Sequence, residues 1–255
     1  MKRMILGMSV VAAMLLTASS AMAAGLNLRW QNCLGDAGTA DRTSACASNL
    51  GNAGTLVGSF VIDNDIIGVT GVECVLDVLA AGGTLPQWWE YNAPGGTVGC
   101  RGTAMTANAA ISGSAVNCFD WAGGAAAGGL AAYRSTDDQS IDPASRPAHK
   151  RIIIGFAVAA PTDVVAGPGA EYFAFNTVIT NAKTTGAGNC LGCATPVCIV
   201  FNSINIVPGT AAGTVIGAGT AAGTNFATFN GGAGANCLLV PTKNTTWGQV
   251  KSLYR

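Results

Sequence analysis

Two carboxylates stand beside aromatic side chains in the middle of the chain. Glu90 directly follows a pair of tryptophans, and Asp120 directly precedes Trp121. Glycoside hydrolases use two carboxyl groups held roughly 5–10 Å apart, one as general acid and one as nucleophile or base. The two residue types therefore indicate a possible site for hydrolysing a sugar, provided that the fold brings Glu90 and Asp120 together.

The aromatic residues around Glu90 suggest a surface that binds a sugar without cleaving it. If the segment LPQWWEY is extended, its side chains alternate, so Trp88 and Trp89 point to opposite faces. Trp88 then packs in the core, and Trp89 is exposed on the same face as Tyr91. This pattern predicts a glycan platform of Trp89, Tyr91 and Trp121, with Glu90 and Asp120 beside it. The alternative is that all these rings are core or loop anchors.

Other catalytic chemistry finds little support in the sequence. His149 is the single histidine, and there is no GxSxG or HExxH motif. We expect His149 to be a surface loop residue and the chain to have no enzymatic activity. A secreted glycoside hydrolase that uses the carboxylate pair is the alternative.

Metal and cofactor motifs are present only in fragments. Cys190 and Cys193 have zinc-like spacing but lack a second pair or a nearby histidine. Hard oxygen ligands for calcium occur at Asp63-Asn64-Asp65 and at Asp137, Asp138 and Asp142, without the EF-hand pattern. Asp and Asn are also ordinary turn formers. We therefore predict no bound metal.

A dinucleotide-like glycine motif does not predict a cofactor. Gly217, Gly219 and Gly223 form a GxGxxG, but no acidic residue follows to bind a ribose. The hexapeptide GTAAGT occurs at 209–214 and again at 219–224, which indicates a low-complexity loop or a flexible hairpin. No cofactor is expected.

The N-terminal residues 1–23 have the features of a signal peptide. Two basic residues precede the apolar stretch 5–16, and Ala21-Met22-Ala23 provides the small residues that a signal peptidase needs. We expect a mature chain from Ala24 that is secreted, periplasmic or on the cell surface, with no membrane span after cleavage.

The composition limits the partners of this mature chain. It has eleven basic and thirteen acidic residues, a net charge of −2, and only 10% of the full chain is charged. No basic patch for nucleic acid is present. A weakly charged surface repels its neighbours weakly. A glycan or other copies of the same chain are the partners that we expect.

Nine cysteines follow the signal sequence, and disulfides are the usual state of cysteines in an exported protein. Pairing across short loops predicts a bridge from Cys33 to Cys46 and another from Cys100 to Cys118. Cys198 is expected to pair with Cys190 or Cys193. The partners of Cys74 and Cys237 stay open, and the odd number leaves one thiol free or bonded to another chain.

The remaining sequence reads as short strands separated by turns. Runs rich in β-branched and aromatic residues are bounded by Gly, Pro, Asn or Asp, and they lie at 26–31, 54–62, 68–79, 151–159, 171–180 and 197–207, with weaker candidates at 107–121 and 128–134. Strands without intervening helices favour an all-β fold. We predict that residues 24–255 form a single antiparallel β-sandwich domain, jelly-roll-like or Ig-like, stabilised by disulfides.

One short helix is predicted at the C-terminal end. Thr246 and Gln249 fit a capping box, and Trp247, Val250 and Leu253 share one face. The helix either closes one end of the sandwich or acts as a sorting or docking tail.

Several of these segments resemble a group of uncharacterised secreted bacterial proteins. The resemblance is carried by GLNLRWQNC, by LPQWW with the following CRG, by GNCLGCATPVCIVFN and by NTTWGQVKSLYR, which is a TWGxVKSLYR-type ending. It implies an exported bacterial protein with a disulfide framework and assigns no activity or functional residue.

Overall fold

The structure of the chain is a computed structural model. The structure describes residues 24–80, 84–91, 99–111, 117–135, 149–209, 212–217, 224–231 and 237. The predicted signal peptide, the Asp137, Asp138 and Asp142 cluster and the predicted C-terminal helix lie outside these residues.

The described chain is built from β-strands, with short 3-10 helices at Leu34–Asp36 and Gln87–Trp89. The strands are β1 (Gly25–Trp30), β2 (Asp41–Arg42), β3 (Asn52–Val61), β4 (Ile66–Ala80), β5 (Met105–Asn108), β6 (Cys118–Asp120), β7 (Ala127–Ser135), β8 (His149–Val164), β9 (Glu171–Thr180), β10 (Val197–Pro208), β11 (Thr214–Gly217) and β12 (Phe226–Phe229). Among the described residues, no helix is long and apolar enough to cross a membrane.

The strands form two sheets. The five-stranded sheet has the order β1-β3-β9-β5, and β6 joins β9 in parallel. The seven-stranded sheet has the order β2-β12-β10-β4-β8-β7, and β11 also pairs with β10. Among the described strands most pairs are antiparallel, whereas β2–β12 and β6–β9 are parallel. The predicted disulfide-stabilised β-sandwich is therefore confirmed.

The core lies between the two sheets and follows the period of two expected for strands. The seven-stranded sheet contributes alternate residues such as Leu76, Ile154 and Phe201, which are almost fully buried. In the five-stranded sheet Gly58 lies opposite Phe175. A Cβ at this position would overlap the Phe175 ring, so this close packing requires glycine.

The predicted strands are present, and the structure refines two of the sequence predictions and corrects a third. The weak candidate at 107–121 is two separate strands, β5 and β6, because residues 109–111 and 117 carry no strand structure. The sequence predicted a loop or a hairpin for the GTAAGT repeat region. Strand β11 lies in this region and forms a hairpin with β10. His149 begins β8 and pairs with Leu79, so its backbone lies in a strand and the prediction of a loop was wrong.

None of the bridges predicted from the sequence is present, and Cys237, whose partner the sequence left open, is paired. The bridges are Cys33–Cys118, Cys46–Cys193, Cys100–Cys190 and Cys198–Cys237. The expected bridges Cys33–Cys46 and Cys100–Cys118 are wrong, and so is the expected pairing of Cys198 with Cys190 or Cys193. The error has a physical cause, because strand pairing brings together loops that are distant in sequence. The four bridges indicate an oxidising environment.

Candidate functional site

The paired tryptophans lie in the 3-10 helix Gln87–Trp89, and both are fully buried. The two indole rings pack edge to face with their centroids 5.0 Å apart. Each ring also packs against Phe229, with centroid distances of 5.4 Å for Trp88 and 5.3 Å for Trp89. The prediction that Trp88 is a core residue is confirmed. The prediction that Trp89 is exposed is wrong. A 3-10 helix has three residues per turn, so adjacent side chains do not alternate between opposite faces.

The other two members of the predicted platform are also buried. Tyr91 is 2% exposed and Trp121 is 3% exposed. The ring of Tyr91 packs edge to face on Trp89 at 6.5 Å. These rings therefore belong to the core and cannot offer a stacking surface to a glycan in this structure. The alternative from the sequence, that they are core anchors, describes them correctly.

The two candidate carboxylates lie at the edges of this core. Asp120 organises a turn, since its Oδ1 accepts a hydrogen bond from the Ala122 N–H at 2.8 Å and its Oδ2 one from the Gly124 N–H at 2.6 Å. Glu90 is half-buried, and its backbone carbonyl accepts the Arg101 N–H at 2.9 Å. Asp120 has a local structural role, which sequence reasoning had not assigned to it.

Arg101 is a buried charged residue that the sequence analysis did not identify. It is 2% exposed, and its guanidinium carbon lies 3.5 Å from the centroid of the Trp88 ring. Nε donates to the Ala182 carbonyl and Nη1 to the Trp88 carbonyl, both at 2.9 Å, while Nη2 donates to the Thr180 carbonyl. The guanidinium thus fastens the Trp88 segment to the chain after β9. The adjacent bridge Cys100–Cys190 reinforces this connection.

The burial of Arg101 affects its own titration and that of Tyr91. Burial lowers the pKa of Arg101, and its interactions with Tyr91 oppose that change. Burial also raises the pKa of Tyr91 well above its usual value, although the nearby guanidinium partly offsets the shift. The Tyr91 phenol therefore stays neutral across the physiological pH range and acts as a neutral hydrogen-bonding group.

A second buried charge is Glu171, at the start of β9. It is 5% exposed, and its carboxylate accepts hydrogen bonds from the backbone N–H groups of Leu34 and Gly35, at 3.1 and 2.7 Å. Asn27 donates to it at 3.1 Å, and the Ser59 hydroxyl also donates. One carboxylate thereby connects β1, β3 and β9 with the helix Leu34–Asp36.

The same carboxylate lies close to a disulfide. Its oxygen and the sulfurs of Cys33 and Cys118 are within 4.8 Å of one another, a spacing that could suit a metal ion. The two sulfurs are bonded to each other, however, and so are not available as thiolate ligands. Burial lowers the pKa of the neighbouring Arg29, and the negative charge of Glu171 counteracts that effect.

We expect Glu171→Gln to destabilise the fold by about 1–3 kcal/mol. The amide is similar in shape, but its NH2 group cannot accept the bonds that one carboxylate oxygen now receives. Urea unfolding measures the loss. Glu73→Gln is the matched control, because Glu73 is exposed and surface changes usually stay within about 0.5 kcal/mol. Equal stability of the two variants would contradict a central role for the Glu171 carboxylate.

A third buried charge lies in the seven-stranded sheet. Asp77 is fully buried opposite Arg151 on β8, and the pair is bidentate, with Nε–Oδ1 at 2.8 Å and Nη2–Oδ2 at 2.9 Å. The amide of Asn202, at a bulge in β10, donates to the same carboxylate. The three side chains lock the register of β10, β4 and β8.

The odd cysteine is Cys74, which is unpaired and fully buried between Ile204 and Ile154. This confirms the expectation of one unpaired cysteine. Burial raises the pKa of its thiol well above the ordinary value of 9.0, and the charge of Glu73 adds to the effect. The thiol is therefore protonated and shielded from reagents.

Native protein at pH 8 should not react with an aromatic disulfide reagent, whereas denatured protein should show one reactive thiol per chain.

The raised pKa of Cys74 also predicts how the stability of the fold changes with pH. Above a pH of about 9 the unfolded chain loses this proton first, so the contribution of Cys74 to stability falls as the pH rises. Thiol titration with and without denaturant checks the first part, and unfolding curves of wild type and Cys74→Ala between pH 8 and 10 check the second. Rapid labelling of the native protein would contradict the buried position.

The candidate calcium ligands Asp63 and Asp65 of the β3–β4 turn accept hydrogen bonds from other groups of the protein. Oδ1 of Asp65 accepts the Ala166 N–H at 2.7 Å, and Oδ1 of Asp63 accepts the Asn64 amide at 3.0 Å. The first of these contacts joins the β3–β4 turn to the connection between β8 and β9, and the second lies within the turn itself.

The arrangement as a whole is that of a disulfide-linked β-sandwich whose buried charges hold strands and loops together. The chain matches no protein-family model, no curated protein and no solved structure. The resemblance to secreted bacterial proteins stays a prediction.

Proposed function

We propose that this chain is an exported, non-enzymatic β-sandwich with a structural or binding role at the cell exterior. The observation that carries the proposal is the set of long-range disulfides, three of which join residues 85, 147 and 90 positions apart. Such bridges persist in secreted and periplasmic compartments and are rare in the cytosol. The signal-like N-terminus predicts the same destination.

The use of the buried charged groups supports a structural role. Glu171, Asp77 and Arg101 each bind groups from several distant segments of the described chain. A catalytic acid or base has to reach the proton that it transfers to or from a substrate. Each of these three residues instead has neighbours that fix the fold.

The partner of this module is a glycan or another copy of the chain, and it would bind at a surface other than the buried rings. The low charge of the sequence supports self-association, since like molecules repel one another weakly. The alternative function is a glycoside hydrolase that uses a pair of carboxylates, and the experiment has to distinguish it from a non-enzymatic role.

The full chain, expressed with its own N-terminus in a bacterium, should be recovered oxidised from the extracytoplasmic fraction. Sedimentation and a glycan array then report self-association and sugar binding. Polysaccharide hydrolysis should stay at background. Hydrolysis that disappears in Glu90→Gln and persists in Glu73→Gln would overturn the non-enzymatic proposal. Reduced protein confined to the cytoplasm would overturn the exported role.

A further inference from the structure

Three of the four disulfides join cysteines that are not neighbours in the sequence. They are Cys33–Cys118, Cys46–Cys193 and Cys100–Cys190, which span 85, 147 and 90 residues. Any two of these spans overlap along the chain. Each of the six cysteines also has another cysteine much closer in the sequence than its native partner. The native connectivity therefore differs from the one that neighbouring cysteines would form.

An unfolded chain favours the short pairings. In a flexible chain the probability that two residues meet falls with roughly the 3/2 power of their separation. Cys33 therefore meets Cys46, 13 residues away, about 17 times as often as it meets Cys118, 85 residues away. Cys100 prefers Cys118 over Cys190 by about 11-fold for the same reason. The first bridges to form in an oxidised, unfolded chain are the short ones.

The short bridges have to be broken before the native ones can form. Cys190 and Cys193 make a third short pair, with two residues between them. Each cysteine holds a single bridge, and the fold places the members of a short pair in different surroundings. Cys33 lies in a small apolar cluster with Val57, whereas Cys46 packs against the main core. The strands and loops reach their native positions only after the short bridges are exchanged.

The unpaired thiol of the chain is withdrawn as the fold forms. Cys74 is fully buried on β4, opposite Ile204 of β10 and Ile154 of β8. Burial also raises the pKa of its thiol, so little thiolate is present. Exchange requires a thiolate that can reach a disulfide sulfur. Once β4 has paired with its neighbours, the thiolate that starts exchange has to come from another molecule.

The native bridges are poor targets for the same exchange. Cys33, Cys193 and Cys190 are 0%, 5% and 1% exposed, so each of the three long bridges contains at least one shielded cysteine. A short bridge in a chain that has not folded has no such protection. Exchange therefore continues until the native set of bridges is reached and stops there.

We propose that this chain is a substrate of a thiol–disulfide isomerase, a protein partner whose thiolate rearranges the three short bridges into the three long ones. The proposal rests on the export of the chain, because an oxidising compartment produces the short bridges. The rearrangement is redox-neutral, since three disulfides are broken and three are formed. It consumes no oxidant or reductant, and the thiolate of the isomerase is regenerated at the end.

The exchange begins at Cys46. The isomerase thiolate attacks the Cys46 sulfur of the first short bridge, which forms a mixed disulfide and releases Cys33 as a thiolate. Cys33 then attacks the Cys118 sulfur of the second short bridge. This step forms Cys33–Cys118 and releases Cys100 as a thiolate.

The same series of attacks completes the other two long bridges. The Cys100 thiolate attacks the Cys190 sulfur of the third short bridge, which forms Cys100–Cys190 and releases Cys193 as a thiolate. Cys193 then attacks the Cys46 sulfur of the mixed disulfide. This step forms Cys46–Cys193 and releases the isomerase thiolate. One attack by the partner thereby converts all three short bridges into the native ones.

Refolding of the full chain from a non-native set of bridges tests the proposal. The reduced chain is oxidised in urea with diamide, which forms disulfides without adding a thiol, and is then moved to buffer without urea. Mapping of unreduced peptides should first find Cys33–Cys46 and Cys100–Cys118. A catalytic amount of reduced protein disulfide isomerase should then produce the native bridges at least about ten-fold faster than buffer alone, where rearrangement takes minutes to hours.

Two comparisons isolate the contribution of the partner. Glutathione at the same thiol concentration should accelerate the rearrangement much less, because it does not bind the unfolded chain. Cys74→Ala removes the one thiol that is left after four bridges have formed, so its rearrangement should depend completely on the isomerase. Wild type is measured in parallel, so that poor folding of Cys74→Ala does not decide the result.

Three results would contradict the proposal. One is a wild-type chain that reaches the native bridges equally fast with and without the isomerase. Another is a wild-type chain that rearranges unaided while Cys74→Ala does not, which would assign the exchange to Cys74. The third is a first set of bridges that already contains Cys33–Cys118. Reduced protein confined to the cytoplasm would overturn the exported role and leave these rates of purified protein unchanged, so the two proposals fail separately.

Discussion

Trp89→Ala should lower the free energy of unfolding by about 3–5 kcal/mol. The ring is fully buried and contacts the rings of Trp88, Tyr91 and Phe229 at centroid distances between 5.0 and 6.5 Å. Its removal leaves a cavity in the densest aromatic part of the core, and the disulfide-linked surroundings can collapse only partly. Urea unfolding followed by circular dichroism measures the change.

Phe119→Ala is the matched control, because it also removes an aromatic ring but one that is 55% exposed. We expect it to cost less than about 1 kcal/mol, since an exposed side chain has little packing to lose. Trp88→Ala should be as damaging as Trp89→Ala, because it also removes the ring under Arg101. If Trp89→Ala were as mild as Phe119→Ala, Trp89 would be a surface residue in solution and the sugar platform would have to be reconsidered.

The strands could be predicted because their signal is local. Residues 171–180 alternate in neither polarity nor size, yet their β-branched and aromatic content marks a strand, and β9 has these bounds. Nearly every residue of β9 is buried, since one face meets the core and the other is covered by the segment that contains Cys33. Burial on both faces explains why an apolar run without alternation forms a strand.

The conformation of the paired tryptophans could not be predicted from strand rules. Pro86 precedes them in an extended conformation, and the chain then turns into a single 3-10 turn. Three residues are too few to show a helical period, so the sequence suggested alternating side chains and left open that the rings are core or loop anchors. The choice was settled by tertiary packing, because Phe229 from β12 provides a surface for both rings.

The buried charges were partly visible in the sequence. Asp77 interrupts the apolar run VECVLDVLA, and its alternation with Glu73 and Val75 places it on the outer side of β4. The partner Arg151 lies on a strand more than seventy residues away, so the pair itself could not be inferred. The same limit applies to the disulfides, because their partners depend on which loops the two sheets bring together.

The cost of removing Cys46–Cys193 depends on this nonlocal network. The two residues are 147 positions apart, and closing such a loop alone would stabilise by about 5 kcal/mol in the chain-entropy model. The bridges Cys33–Cys118 and Cys100–Cys190 already shorten the covalent path between Cys46 and Cys193. This path consists of 13 residues from Cys33 to Cys46, 18 from Cys100 to Cys118 and 3 from Cys190 to Cys193. In the same chain-entropy model, closing a loop of about 34 residues stabilises the fold by about 4 kcal/mol.

The double variant Cys46→Ser with Cys193→Ser should therefore lose about 4 kcal/mol, close to the loss expected from removing Cys198–Cys237, whose ends are 39 residues apart. Equal losses from bridges of such different separation would reveal the interlinked connectivity, because independent loops would differ by about 1 kcal/mol. Unfolding in urea without reductant measures both variants. Mapping of unreduced peptides from the wild type fixes the connectivity independently. If it recovered Cys33 linked to Cys46, or Cys100 linked to Cys118, the path would break into short local loops and both the connectivity and the equal losses would be refuted.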